Sequence, residues 1–153
     1  MFGSLQHLSE QQLVSLVHEA QELLKERRVF LGVPVEVFAT ELSPAEAAVK
    51  FLKDHGLSFH EIGLHLNRDE RGVWGSYRRA SRKMSEKLVV ERSESIIPFS
   101  VLSDRTTSML ESVTLYLKDV HGLKLSSIAR LLNKHSSTIW TVYSRAKKKR
   151  SIV

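Results

Sequence analysis

Arg71 and Arg78 stand two helical turns apart in the stretch Glu70-Arg71-Gly72-Val73-Trp74-Gly75-Ser76-Tyr77-Arg78. A guanidinium is a rigid planar fork of donors, and it matches the paired acceptors on the major-groove edge of guanine. Val73, Tyr77 and Ala80 recur at i, i+4 and i+7, the spacing of a buried helical face. Glu70, Arg71, Trp74, Gly75 and Arg78 are therefore left pointing outwards, as a set that can read base edges. Further on, Ile139, Tyr143 and Ala146 repeat the inward pattern and leave Ser136, Ser137, Trp140, Thr141 and Ser144 outside. Cations surround both sets: Arg68, Arg79, Arg82 and Lys83 around the first, and Lys134, Arg145, Lys147, Lys148, Lys149 and Arg150 around the second. In a turn or at a helix end such residues suit phosphate oxygens, which hold a protein in register without reading sequence. The two outward faces differ chemically, so unequal half-sites are expected. Trp74 and Trp140 are read first as packing residues, with apolar contact to a thymine methyl or a sugar as the alternative.

A repeat positions these faces. Gly56-Leu57, Ile62, Leu66-Asn67, Trp74, Tyr77, Arg79-Ala80 and Lys83 recur 66 residues later as Gly122-Leu123, Ile128, Leu132-Asn133, Trp140, Tyr143, Arg145-Ala146 and Lys149. Lys53-Asp54 matches Lys118-Asp119 at an offset of 65, and Pro34 matches Pro98 at 64. Two one-residue insertions thus align everything from residue 33 to 149, the signature of one supersecondary unit present twice. Ser43-Pro44-Ala45-Glu46 opens the first helix of copy one with a cap, a proline and a capping-box glutamate. That helix stops at Gly56, and its counterpart stops at Gly122. The second helices run from about Phe59 to Leu66 and Ser126 to Leu132, ending at Asn67 and Asn133, a residue type that tolerates positive φ. The third helices start near Asp69 and near His135 or Ser136. Gly72 and Gly75 weaken the first of these, each by about 1 kcal/mol relative to alanine.

The lead-ins, residues 33–38 and 97–102, read as extended or as short helices with proline in first position, and no strand is expected. In residues 84–96, Met84, Leu88 and Val89 are read as prolonging the preceding helix, and Arg92-Ser93-Glu94-Ser95 as a break. At the N-terminus, Ser9 and Gln12 form a capping box ahead of an apolar stripe of Leu13, Leu16, Val17, Ala20, Leu23 and Leu24. Glu19 and Glu22 lie opposite, and Arg27-Arg28 suit the negative end of that helix. Packing on the first module is the expected cover for the stripe, and self-association the alternative. The expected fold is all-α: an amphipathic N-terminal helix (1–32), a first three-helix helix-turn-helix module (33–83), a linker (84–96) and a second module (97–150).

Charge is unevenly spread. Residues 1–43 carry three Lys/Arg against six Asp/Glu, residues 44–104 ten against nine, and residues 105–153 ten against two. Nearly all of the net +6 therefore belongs to the second copy, which suits a polyanion partner, while the acidic N-terminal part suits a protein contact. No apolar run approaches the ~20 residues of a membrane span, and no basic-then-apolar leader opens the chain, so no membrane association is expected. The absence of cysteine excludes disulfides and thiolate metal sites and suits a reducing compartment, so a cytoplasmic location is expected. His55, His60 and His65 are spaced by five, which scatters them around a helix, and no nucleophile elbow or glycine-rich phosphate loop is present. No metal, no cofactor and no enzymatic activity are expected.

The order of short helix, Asn-containing turn and longer helix ending in Arg-Ala resembles the C-terminal domain of sigma factors, which reads the −35 promoter element. The residues that carry it are Leu57-Ser58, Glu61-Ile62, Leu66-Asn67, Val73 and Arg79-Ala80, and then Leu123, Ile128-Ala129, Leu132-Asn133, Ile139 and Arg145-Ala146. Sigma domains usually have glycine where this chain has asparagine. The strings Leu-Asn-Arg-Asp-Glu-Arg and Trp-x-x-Tyr-x-Arg-Ala are also similar to archaeal sigma-like helix-turn-helix proteins. The resemblance spans residues 33–83 and 97–149 and implies a double-stranded DNA partner. No polymerase-core-binding sigma region is evident. The expected function is a sequence-specific transcription regulator with two linked recognition helices. An architectural nucleoid protein and an adaptor contacting RNA polymerase are the alternatives, and the N-terminal helix offers a route to a homodimer or another protein partner.

Overall fold

Serine, proline, glycine and asparagine punctuate the chain where its helices begin and end. The computed structural model describes residues 4–26, 30–93 and 95–152. The Arg27-Arg28 pair lies outside the described residues. The chain divides into two compact units, Met1–Leu31 and Gly32–Val153. The first holds α1 (Glu10–Glu26), begun by the reciprocal bonds of a capping box: the Ser9 N–H donates to Gln12 Oε1 at 2.9 Å and the Gln12 N–H to Ser9 Oγ at 3.3 Å. Along it Leu13, Val14, Leu16, Val17 and Leu23 are exposed.

The second unit is mainly helical and carries a two-stranded sheet. In order it contains β1 (Gly32–Pro34), a 3-10 helix (Val35–Ala39), α2 (Pro44–Asp54), α3 (Phe59–Leu66) and α4 (Glu70–Lys83). The repeat then supplies β2 (Ile96–Pro98), α5 (Phe99–Leu102), α6 (Met109–Leu115), a π turn (Tyr116–Val120), α7 (Leu125–Leu131) and α8 (Ser136–Ile152). Capping boxes start α2 (Ser43, Glu46), α3 (Ser58, Glu61) and α6 (Ser108, Glu111), each satisfying two backbone donors that a helix start leaves free. Asn67 and Asn133 adopt φ of 53° and 52°, the left-handed geometry that turns the chain from the second helix into the third. Buried Ala48, Leu52, Ile62, Leu66, Val73 and Ala80 form the core of copy one, where α2, α3 and α4 pack together. Val113, Leu117, Ile128, Leu132, Ile139 and Ala146 do the same in copy two.

The sheet corrects the expectation of a chain without strands. β1 pairs antiparallel with β2 in the register Gly32↔Pro98, Val33↔Ile97 and Pro34↔Ile96. Strands of three residues are too short for an alternating pattern to show, and the partner lies 64 positions away, so nothing local announces them. Gly32 is required here, since a Cβ would overlap the Ile97 carbonyl oxygen. The linker is corrected too. α4 stops at Lys83 and Met84 is extended, because the Leu88 N–H is taken by Asp54 Oδ2 at 2.9 Å and the Leu88 side chain is buried.

Both insertions acquire a structural form. One falls between Pro98 and the Ser108 cap, a stretch that opens with a short α-helix where copy one winds a 3-10 helix. The other falls between Asp119 and Gly122, where the chain widens into the π turn and the His121 N–H donates to the Tyr116 carbonyl at 3.3 Å. A single extra residue in a helix is absorbed in this way. The copies also interlock: α2 touches α6, α3 touches α5, and α7 touches the 3-10 helix. The His65 ring stacks on Phe99 with centroids 4.2 Å apart and planes 13° apart.

Candidate nucleic-acid interface

α4 and α8 are docked by matching residues. Val73, Ala80, Ile139 and Ala146 are fully buried. The Tyr77 hydroxyl donates to Asp54 Oδ1 at 3.3 Å, and the Tyr143 hydroxyl donates to Asp119 Oδ1 at 3.1 Å. A pair of equivalent side chains therefore fixes the rotation of each helix about its axis. That rotation leaves Glu70, Arg71, Trp74 and Arg78 exposed on α4, with Gly75 half-buried among them. On α8, Ser136, Ser137 and Trp140 are exposed, and Thr141 and Ser144 are half-buried. The Thr141 hydroxyl turns back to donate to the Ser137 carbonyl at 2.9 Å.

The tryptophans do not pack in the interior of the Gly32–Val153 unit: Trp74 is 49% and Trp140 63% exposed. Each follows a fully buried residue on its helix, so the helical rotation carries it out of the core. Trp74 serves instead as a platform, with the Arg78 guanidinium 5.2 Å from its ring centroid. This cation–π contact holds the arginine fork one turn along the helix. Copy two has Ser144 at the matching place, so Trp140 carries no such cation. At the start of α4, Asp69 caps the helix by accepting from the Gly72 N–H at 2.8 Å, and Glu70 lies 3.9 Å from His60.

The basic residues divide into two groups. Lys83 Nζ lies 2.9 Å and Arg79 Nε 3.5 Å from the Glu46 carboxylate. Lys149 Nζ meets Glu111 at 2.8 Å, Lys147 meets Asp119 at 3.4 Å and Arg150 meets Asp104 at 3.8 Å. Glu46 and Glu111 are the capping-box glutamates, each with a side chain only 7% exposed. A carboxylate so buried needs a cation, and a lysine in the last turn of the third helix supplies it in both copies. Lys83 and Lys149 thereby tie α4 to α2 and α8 to α6. Acid and base both recur in the repeat, although the sequence does not state that they meet. Arg71, Arg82, Arg145 and Lys148 are exposed and Lys134 half-buried, with no ion pair among the described residues.

Burial alone would raise the Glu46 and Glu111 carboxyls. Hydrogen bonds from the lysine and from the capping serine N–H, with the nearby positive charges, outweigh it and hold both below the ordinary value near 4.5. A carboxyl depressed in the folded state adds stability above its unfolded pKa and loses it as pH falls through the lower folded value. Stability should therefore fall below about pH 4.5 and show a shallower acid slope in Glu46→Gln and Glu111→Gln, read from urea midpoints between pH 3 and 7.

Arg105 joins this surface from the other copy. Its Nη1 donates to the Asn67 carbonyl at 3.2 Å, while Asn67 Nδ2 donates to the Ser103 carbonyl at 3.3 Å. It thus stands near Arg68, which is half-buried and whose Nε is buried without a hydrogen-bond partner. Burial and then the Arg105 charge both push the Arg68 pKa down. Neither guanidinium has an ion pair among the described residues, and the acids nearest in sequence to Arg68, Asp69 and Glu70, respectively cap α4 and face His60.

No protein-family model, curated protein or solved structure matches this chain. Among the described residues no group of three or more His, Asp or Glu side chains is placed to hold a metal ion, and no helix is long and apolar enough to cross a membrane.

Proposed function

We propose that residues 33–83 and 97–150 form two helix-turn-helix modules, similar to the −35-reading domain of sigma factors, and that they bind double-stranded DNA sequence-specifically to regulate transcription. The division of the cations carries this reading. Lys83, Lys147, Lys149 and Arg150 are paired with the chain's own acids, whereas Arg71, Arg78, Arg68 and Arg105 have no acid partner among the described residues. Unpaired cations thus lie on and beside the outward face of α4, as Lys134, Arg145 and Lys148 do on and beside α8. In this reading Arg71 and Arg78 reach guanine edges in the major groove, and Glu70, Trp74 and Gly75 shape the fit. On α8, Ser136, Ser137, Trp140, Thr141 and Ser144 read a different half-site. Arg68, Arg82, Lys134, Arg145 and Lys148 grip phosphates. Covalent linkage makes the second contact intramolecular, so two weak readers give a useful affinity.

The glycines of α4 fit a surface that closes on a duplex. A Cβ at Gly75 would meet nothing nearer than the flexible Arg79 guanidinium at 3.4 Å, so the fold does not demand glycine there. Gly75→Ala should raise stability by about 1 kcal/mol, measured as a shift of the urea midpoint. A matching loss of DNA affinity would show that the missing Cβ serves the groove.

Selection of bound duplexes from a random pool, at near-physiological salt, tests the proposal. An enriched motif supports a sequence-specific regulator. Salt-sensitive retention without a motif would replace it with an architectural role. No retention would remove DNA as the partner and favour an adaptor between proteins, the reading that the exposed apolar residues of α1 support.

A further inference from the structure

We infer that the two copies are related by a two-fold axis, so that their duplex target is an imperfect inverted repeat and not a direct one; this rests on the duplex-binding reading above. The strand register carries the argument. Gly32 and Ile96 are equivalent in the repeat, as are Val33 and Ile97, and Pro34 and Pro98. The ladder pairs Gly32 with Pro98 and Pro34 with Ile96, and these two pairs exchange when the copies are swapped. The central pair, Val33 and Ile97, maps onto itself. Copies related by translation along a line would run these strands in the same direction. Antiparallel pairing about a shared centre is what a two-fold axis through that centre produces.

Contacts elsewhere in the unit obey the same operator. α2 touches α6, its own equivalent. The short helix after each strand reaches across to the second helix of the other copy, with α5 on α3 and the 3-10 helix on α7. These contacts are reciprocal, as in an isologous dimer whose arms are exchanged. The chain is therefore a covalently closed pseudo-dimer that needs no second molecule to reach its two-fold form. A duplex has local two-fold axes perpendicular to its own axis, so readers related in this way meet opposite strands in the same polarity. The outward side chains break the symmetry on the reading faces: Arg71 and Arg78 in copy one correspond to Ser137 and Ser144 in copy two.

The test uses the full chain and the random duplex pool. The expected motif has two unequal halves in inverted orientation, with centres about 10 base pairs apart. Reversing one half in a synthetic duplex, which turns the site into a direct repeat, should lower affinity by roughly 100-fold, to that of a single half-site. The combined variant Ser137→Arg, Ser144→Arg should shift the selected motif towards a true palindrome. A direct repeat in either selection, a lone half-site, or equal affinity for the reversed duplex would overturn the two-fold inference while leaving DNA binding intact. Failure to enrich any duplex would overturn the DNA reading itself and this inference with it. The wild-type comparison of inverted and reversed duplexes decides the question even where the arginine variant folds poorly.

Discussion

Asp54→Ala is expected to destabilise the Gly32–Val153 unit by about 3–5 kcal/mol, a large share of a small domain's total. Asp54 Oδ2 accepts from Lys50 Nζ at 2.8 Å and from the Leu88 N–H at 2.9 Å, while Oδ1 accepts from the Tyr77 hydroxyl at 3.3 Å. Lys50 is only 2% exposed. Removing the carboxylate would leave a buried ammonium with no counter-charge, alongside a linker and a tyrosine that have lost their anchor. The repeat supplies the control. Leu115 stands where copy one has Lys50, and it is 1% exposed, so the fold accepts an aliphatic side chain there. Lys50→Leu in the Asp54→Ala background should recover most of the loss, because a well-packed apolar residue replaces an unpaired charge. Asp119, the equivalent acid, has a side chain 36% exposed and meets the exposed Lys147. Asp119→Ala should cost no more than about 1 kcal/mol. Urea midpoints at constant slope measure all three. A double variant no more stable than Asp54→Ala would show that the buried charge is not the source of the effect.

Arg71→Ala and Arg78→Ala should each weaken binding to the selected duplex by about 1–3 kcal/mol and relax preference at a different base position. Their affinity for unrelated duplex should change far less. Arg82→Ala and Lys148→Ala should behave in the opposite way, weakening all sequences alike and reducing the salt slope by about one charge each. Trp74→Ala should reproduce part of the Arg78→Ala effect, since the indole holds that guanidinium, and the two changes should be less than additive. Fluorescence anisotropy on matched and mismatched duplexes reads each outcome. Unchanged affinity in both arginine variants would remove α4 as the base-reading element.

The helix starts and stops were legible because capping is local. Ser43 with Glu46 and Ser58 with Glu61 are three residues apart, and Asn67 needs only its own backbone to adopt positive φ. The inward faces of α4 and α8 were legible for the same reason, since Val73 with Ala80 and Ile139 with Ala146 follow the helical period directly. The outward placement of Arg71, Arg78, Ser136 and Ser137 came with them, as the complement of a buried stripe. The sequence on its own therefore determined the repeat, the helices and the side chains that face away from the core.

Pairings between distant parts of the chain were decided only by tertiary structure. Glu46 and Lys83 are separated by 37 positions and Arg105 from Asn67 by 38, so no local pattern couples them. The exposure of Trp74 and Trp140 depended on what else could reach that face, which a helical period does not state. The three-residue strands exist only because each offers the other its backbone groups, and their antiparallel register sets the relation between the two copies. A tandem repeat specifies two like objects, and by itself it is equally compatible with translation or rotation between them. The choice belongs to the interface, where hydrogen-bond direction and side-chain packing across the pair, not the residues within either copy, determine the operator.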